Sequence, residues 1–156
     1  MGDLNIFEIP LGDITLEKLD ITNDKHLKTM EDMRDYTAME MCYDVLLDVN
    51  AAALGKEENS FLVKNEEGYF GYVNISDDKD GDRILCYIVQ EKLRGMGLGK
   101  IMLTSVSDYL INNGIASSVR LYINKKNSAG AGLAVSCGFE RKGIVNTDMI
   151  NYSKKK

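Results

Sequence analysis

Three glycines at alternate positions, Gly95, Gly97 and Gly99, stand between an apolar run, Ile84 to Val89, and a stretch of helical periodicity. No other feature restricts the fold as much. Without side chains the loop backbone can come close to a ligand, and its N–H groups join the unpaired donors of the first helical turn. The positive end of the helix dipole adds to them, so a strand–glycine–helix unit of this kind favours phosphate. Ile84 to Val89 is apolar except for Cys86 and Tyr87, which predicts a strand buried on both faces. After the glycines, Leu98, Ile101, Met102, Val106, Tyr109 and Leu110 recur at helical spacing, and Gly114 stands just past the end. A P-loop needs GxxxxGK followed by Ser or Thr, but position 94 is Arg and Ile101 follows Lys100. The dinucleotide motif needs GxGxxG and an acidic residue about twenty positions on, and this segment has neither.

Around this unit the chain reads as one domain over 1–156, with no repeat and no low-complexity linker. Partial alternation from Ile14 to Leu19 predicts a short strand. Asn23 or Asp24 can cap a helix beginning near Lys25, with Leu27, Met30, Arg34 and Thr37 along one side. A second helical stretch runs from Tyr43 to Leu54 and stops at Gly55. Phe61 to Lys64 and Tyr69 to Ile75 form a strand pair around Asn65–Gly68, and the polar stretch Asp77 to Asp82 is a loop. Val119 to Ile123 is a strand, Asn127 begins a short helix through Ser136, and a last strand covers Ile144 to Tyr152. The order β-α-α-β-β-β-α-β-α-β predicts an α+β fold with a mixed sheet and right-handed crossovers.

The glycine segment also reads Arg-x-x-Gly-x-Gly over Arg94, Gly97 and Gly99, and Leu121, Asn127 and Gly138-Phe139 follow downstream. This set resembles the pyrophosphate loop and later block of the GNAT superfamily of acyl-CoA N-acyltransferases. Residues 60–152 follow that layout, whereas 1–59 agree only in supplying a strand and two helices. The resemblance implies a mixed central sheet splayed between two strands and flanked by about four helices. It implies acetyl-CoA as acyl donor, a primary amine on a small molecule or peptide as acceptor, and direct transfer. Carried over by position, Tyr87, Ile88 and Val89 offer main-chain groups to the pantetheine arm. Arg94, Gly95, Met96, Gly97, Leu98, Gly99 and Lys100 wrap the pyrophosphate, and Asn127 hydrogen-bonds the pantetheine. By residue type alone, Arg94 serves equally as a surface charge, Asn127 as a helix cap, and Tyr87 to Val89 as core strand.

The catalytic part of the pattern is incomplete. Many members of the superfamily carry a tyrosine seven residues after the asparagine to protonate the departing thiolate, and here that position is Ala134. The glutamate that serves as base in some relatives falls near Arg83, with Asp82 beside it; in others it falls at Tyr122. Alternation along Val119 to Ile123 puts Leu121 and Ile123 on one face and Arg120 and Tyr122 on the other, so Tyr122 is the candidate proton-transfer residue. The alternative is an aromatic that only packs. Cys137 stands at a position read as core. Tyr36, Glu40, Tyr43, Asp44 and Asp48 are candidates for the acceptor wall, or a solvated helix face, and His26 has no evident partner.

The formal charge of −5 hides an asymmetry. Residues 1–82 hold 20 Asp and Glu against 7 Lys and Arg, a balance of −13; residues 83–156 hold 4 against 12, a balance of +8. A basic half suits a polyanionic ligand and an acidic half a cationic amine, and the acidity argues against nucleic acid. The three cysteines are odd in number and widely spaced, and with one histidine no Cys/His metal site is expected. No apolar run reaches membrane-spanning length and the first fifteen residues do not read as a signal peptide, so the chain reads as cytoplasmic, with no membrane partner. The oligomer is left open, a homodimer included. Besides an enzyme, a CoA-binding regulatory module fits the same features, as Ala134 permits; an unrelated nucleotide-binding protein is disfavoured by the Asn127…Gly138-Phe139 block.

Overall fold

The computed structural model describes residues 7–20, 22–32 and 59–156. Its centre is one eight-stranded sheet: β1 (Glu8–Leu11), β2 (Ile14–Lys18), β3 (Ser60–Asn65), β4 (Gly68–Asp77), β5 (Arg83–Val89), β6 (Ser118–Asn124), β7 (Glu140–Ile144) and β8 (Met149–Lys155). The spatial order is β1-β2-β3-β4-β5-β6-β8-β7. Three α-helices are described: α1 (Asp24–Asp32), α2 (Leu98–Asn112) and α3 (Ser128–Ser136). The helix expected over Tyr43 to Leu54, and the Arg34 and Thr37 end of the first, lie outside the described residues. The mixed, splayed sheet expected of the fold is present.

Two expectations need correction. The stretch expected as one strand over Ile144 to Tyr152 is a hairpin, β7 and β8. Asn146 Oδ1 accepts from the backbone N–H of Asp148 at 2.9 Å and of Met149 at 3.0 Å, turning the chain by an Asx motif. The sheet also gains β1, which pairs antiparallel with β2; as an edge strand it tolerates Pro10.

The neighbouring strands pair antiparallel, except β5 and β6, which run parallel. That parallel ladder holds only Arg83↔Val119 and Ile84↔Arg120. Beyond Ile84 the strands diverge and the sheet splits. The split corrects the reading of β5 as a strand buried on both faces. Only Leu85 and Ile88 are buried, because Cys86 to Val89 have lost a neighbour on the β6 side.

One face of the sheet carries the main core. Val63, Val73, Ile75, Leu85, Val119 and Leu121 pack with Met102, Leu103, Val106 and Leu110 of α2. Burial of each such side chain is worth roughly 1.5–3 kcal/mol. Gly71 permits close approach: a Cβ there would lie 3.0 Å from Met102 Sδ and 3.0 Å from the Ile88 carbonyl. On the opposite face Leu19, Met30, Leu62, Tyr72 and Ile88 are buried. A register shift places Val63 opposite Gly71 but Lys64 opposite Tyr69, so Phe70 is a bulged extra residue. The bulge sends Phe70 into the main core and turns Tyr69 to the α1 face, where it reaches Glu17.

Candidate active site

The glycine segment begins where β5 ends. Gln90 N–H donates to the Phe70 carbonyl at 2.8 Å, a short 3-10 turn (Glu91–Leu93) follows, and α2 starts at Leu98 behind the N-cap Gly97. Gly95 and Gly97 both adopt φ of 81°, a left-handed conformation that other residues enter at a cost. Ile101 is the first residue of α2 to close a helical bond, to the Gly97 carbonyl at 3.2 Å. The N–H groups of Leu98, Gly99 and Lys100 precede it and face outward from the first turn, which holds no acidic residue. Met96 is 65% exposed and Lys100 is exposed. Of the seven residues expected to wrap a pyrophosphate, Leu98 to Lys100 thus form the first helical turn and Arg94 to Gly97 the loop before it.

Arg94 lies back on the strand it follows. Its Nε donates to the Val89 carbonyl at 3.0 Å, tying the loop to the end of β5. Gly99 allows α2 to sit against α3, since a Cβ there would lie 3.3 Å from Leu133 Cδ2 and 3.7 Å from Val89 Cγ2. The later half of α3 therefore packs on the first turn of α2. Asn127 caps α3, its Oδ1 accepting from Gly130 N–H at 2.8 Å. The cap uses the oxygen and leaves Nδ2 as the donor of that side chain. Tyr87, Ile88 and Val89 pair with Val73, Tyr72 and Gly71 on one side and border the split on the other.

A cleft of about 770 Å³ also adjoins the loop, between Leu93, Met96 and Leu98 and the turns before β2 and β4. Asp13, Glu66 and Glu67 line it against a single lysine, Lys64. That charge balance is unsuited to a pyrophosphate, which the first turn of α2 suits better.

Across the split stands Tyr122. Leu121 and Ile123 are buried in the main core, while Arg120 and Tyr122 are half-buried on the opposite face. Tyr122 shares that face with Cys86 of β5 and Asn151 of β8, which is its register partner. Asn151 Oδ1 is buried with no hydrogen-bond partner among the described residues. Next to Cys86 a chain of neutral groups crosses the face. Ser76 Oγ donates to Asn74 Oδ1 at 2.7 Å, Asn74 Nδ2 donates to Ser60 Oγ at 3.1 Å, and Ser60 Oγ lies 2.8 Å from Tyr72 Oη. Burial pushes the Tyr72 phenol well above its usual range. The strand expected over Tyr69 to Ile75 carried no reading of Tyr72, Asn74 and Ser76 as a set; their alternate spacing along β4 is the signal that could have found them.

The other candidates are placed as follows. Ala134 is fully buried in the main core, so the usual tyrosine position here faces packing rather than a cleft. Asp82 is committed: its Oδ2 lies 2.6 Å from Arg120 Nη2, and its Oδ1 accepts from Ser118 Oγ at 2.6 Å. Arg83 pairs with Asp77 and donates to the Ile115 carbonyl at 3.1 Å. Cys137 is buried beside the Lys100 carbonyl, as core. His26 does have partners: fully buried, it meets Glu17 and the Asp20 N–H. Tyr36, Glu40, Tyr43, Asp44 and Asp48 lie outside the described residues. Among the described residues no group of three His, Cys, Asp or Glu could hold a metal ion, and no helix is long and apolar enough to cross a membrane.

The family model described as "Acetyltransferase (GNAT) family" matches residues 24–139. Solved structures share the fold. An acetyltransferase from Salmonella typhimurium that modifies the N-terminal serine of ribosomal protein L7/L12 superposes with a TM-score of 0.77 at 13% identity, over 96% of this chain and 99% of that one. A spermidine N-acetyltransferase from Vibrio cholerae, in complex with CoA and spermine, gives 0.74 at 14%, over 92% and 95%. A microcin C7 self-immunity acetyltransferase bound to acetyl-CoA and AMP gives 0.70 at 16%, over 99% and 100%. No curated protein matches in sequence.

Proposed function

The chain belongs to the acetyltransferase (GNAT) family, as an acetyl-CoA-dependent N-acetyltransferase, and we propose how its own residues divide that work. The pyrophosphate sits on the loop Arg94 to Gly97 and on the N–H groups of Leu98, Gly99 and Lys100. The pantetheine arm then runs back along β5, past Val89, Ile88 and Tyr87, with Asn127 Nδ2 donating to it. This direction brings the thioester toward Cys86, where β5 and β6 have just parted. The observation that carries the reading is that parting: the ladder ends at Ile84↔Arg120, one strand away from a phosphate-suited helix start.

The amine nitrogen attacks the thioester carbonyl carbon, the C–N bond forms, and the C–S bond breaks. The departing thiolate takes a proton from the Tyr122 hydroxyl, the nitrogen loses one to water, and the phenolate is reprotonated from solvent. A primary amine fits the acidic N-terminal half by steering. Polyamine and protein N-terminal acceptors in the named relatives are both amines. The described carboxylates on the Tyr122 face, Glu17, Asp78 and Asp82, are already paired. The buried free thiol of Cys137 suits the cytoplasm.

The test is thiol release from acetyl-CoA against a panel of polyamines, peptides with free N-termini, alcohols and acidic peptides. Turnover with amines, rising with pH until the bound amine is neutral, supports the reading. Better turnover with alcohols overturns the acceptor class. The buried Ala134 favours a second reading, a CoA-binding module without chemistry; CoA binding with no thiol release from any acceptor would establish it.

A further inference from the structure

Three buried side-chain oxygens have no hydrogen-bond partner among the described residues: Glu17 Oε2, Asp78 Oδ2 and Asn151 Oδ1. The first two face cations, Lys64 Nζ at 2.7 Å and Arg120 Nη1 at 3.2 Å. Asn151 Oδ1 faces neither a donor nor a cation among the described residues. Its neighbours in β8, Ile150 and Tyr152, pack on the main core, so strand alternation turns Asn151 to the opposite face. There it is the register partner of Tyr122 on β6 and of Gly143 on β7. Directly opposed residues in an antiparallel pair have Cβ atoms about 4.5–5.5 Å apart, so Asn151 stands side by side with Tyr122. On the β7 side Gly143 contributes no side chain, and a Cβ there would meet nothing within 4 Å among the described residues. An uncommitted carbonyl thus sits one strand from the split, with one flank left unfilled.

We propose that Asn151 is an acceptor-binding residue of this acetyltransferase, its side-chain carbonyl taking an N–H of the incoming amine. An unpaired buried acceptor costs stability, so one kept beside a reaction site is matched to a donor from outside the chain. The side of approach follows from the packing. Helix α2 covers the main-core face, so a thioester held in the split is open to attack from the face that carries Tyr122 and Asn151. The kind of ligand follows from the atom, because a carbonyl oxygen only accepts and suits a group rich in N–H. Other described acceptors on this face are committed: Glu17, Asp78 and Asp82 pair with cations, and Asn74 Oδ1 takes the Ser76 hydroxyl. A neutral carbonyl also binds the amine without holding it protonated. A carboxylate there would raise the pKa of a bound ammonium and oppose the proton loss that attack requires. This inference rests on the amine reading of the acceptor and on its approach from the Tyr122 face.

The test is steady-state kinetics on the full chain with the best amine of the panel, for the parent, Asn151→Leu and Asn151→Asp. Asn151→Leu keeps the size and removes the acceptor. Its KM for the amine should rise about threefold to tenfold, the worth of one neutral hydrogen bond, with kcat and the KM for acetyl-CoA near the parent's. Its melting temperature should stay level or rise by about 2–4 °C, because an unpaired buried acceptor has been removed. Asn151→Asp keeps an acceptor oxygen and adds charge, so its amine KM should not rise while its alkaline limb of kcat moves to higher pH. A parental amine KM in Asn151→Leu, or a melting temperature lowered by more than about 4 °C, overturns the inference while leaving the acceptor class standing. An amine KM raised equally in both variants assigns the effect to the lost amide N–H groups and overturns it too. A parent that turns over no amine overturns the acceptor reading itself. Should Asn151→Leu not fold, the pH profile of Asn151→Asp decides, and an unshifted limb counts against the role.

Discussion

Glu17 Oε1 and His26 Nε2 meet at 2.8 Å inside the molecule, joining β2 to the first turn of α1. His26 Nδ1 accepts the Asp20 N–H at 3.0 Å, so the ring proton is on Nε2 and is donated to the carboxylate. Tyr69 donates to the same oxygen at 2.8 Å, and Lys64 Nζ lies 2.7 Å from the other. The site is an anchor: one carboxylate on β2 holds α1, β3 and the start of β4, next to the Phe70 bulge.

The anchor sets an acid limit on stability. Burial raises the Glu17 pKa, but the hydrogen bonds from Lys64, His26 and Tyr69 outweigh it and hold it at about 2, down from 4.5. A depressed folded pKa stabilises above the unfolded value and is lost as pH falls through the folded one, so this contribution fades between about pH 4.5 and pH 2. Because Lys64 is a third exposed, we expect about 2 kcal/mol from it, below the roughly 3 kcal/mol of the full shift. Glu17→Gln should lower stability at neutral pH by that amount and flatten the acid limb in urea melts. An unchanged limb between pH 5 and pH 2 would remove Glu17 from this role.

Gly97→Val should abolish most CoA binding while leaving the fold. A Cβ at Gly97 meets nothing within 4 Å, so the side chain is sterically free in the ligand-free protein. The cost is the left-handed backbone, about 1–2 kcal/mol for a residue with a Cβ, together with a branched group set beside the phosphate path. Calorimetry on folded protein should show CoA affinity down by about tenfold or more, a loss of at least 1.4 kcal/mol. Parental affinity also weakens with added salt, since the ligand is polyanionic. Unchanged affinity in the valine variant would move the phosphate site elsewhere.

The hydrogen-bonded row on the Tyr122 face carries its own expectation. Asn74 is 1% exposed and bridges buried Ser60 to half-buried Ser76, so Asn74→Ala takes a partner from each hydroxyl. A loss of about 1–3 kcal/mol in chemical unfolding follows from stranding such groups. A loss below about 0.5 kcal/mol would mean that water replaces the amide there.

These features differ in how far the sequence revealed them. The glycine segment, the Asn127 cap and the side-chain alternation along β6 are local, and each was legible because a few neighbouring residues determine it. The hairpin after Gly143 had a local signal, Asn146-Thr147-Asp148, overridden in the reading by the apolar residues on either side. The Glu17–His26–Tyr69–Lys64 anchor had none. His26 meets a carboxylate nine positions earlier and lies edge-on to a ring 43 positions later, and the latter depends on the Phe70 bulge. The Asp82–Arg120 pair likewise spans 38 positions, brought together only by the short parallel ladder of β5 and β6.

The last expectation concerns Ala134, the position where many relatives hold a tyrosine. An obvious engineering step would be Ala134→Tyr, to restore a missing acid. The structure argues against it. Ala134 is 0% exposed in the core between α3 and the sheet, alongside Cys137 and Phe139. Its carbonyl accepts the N–H groups of Cys137 and Phe139 at 3.1 and 3.0 Å, ending the helix in a tight turn. A phenol there has to displace packed side chains before its hydroxyl reaches a partner. Overpacking of this kind costs about 1–3 kcal/mol or more, and a stranded hydroxyl adds to it. We therefore expect Ala134→Tyr to melt at lower temperature and turn over no faster than the parent, with Tyr122→Phe not rescued when the two are combined. Rescue of Tyr122→Phe by Ala134→Tyr would show instead that α3 shifts to open the position toward the thioester, and that the proton donor can stand on either side of the split.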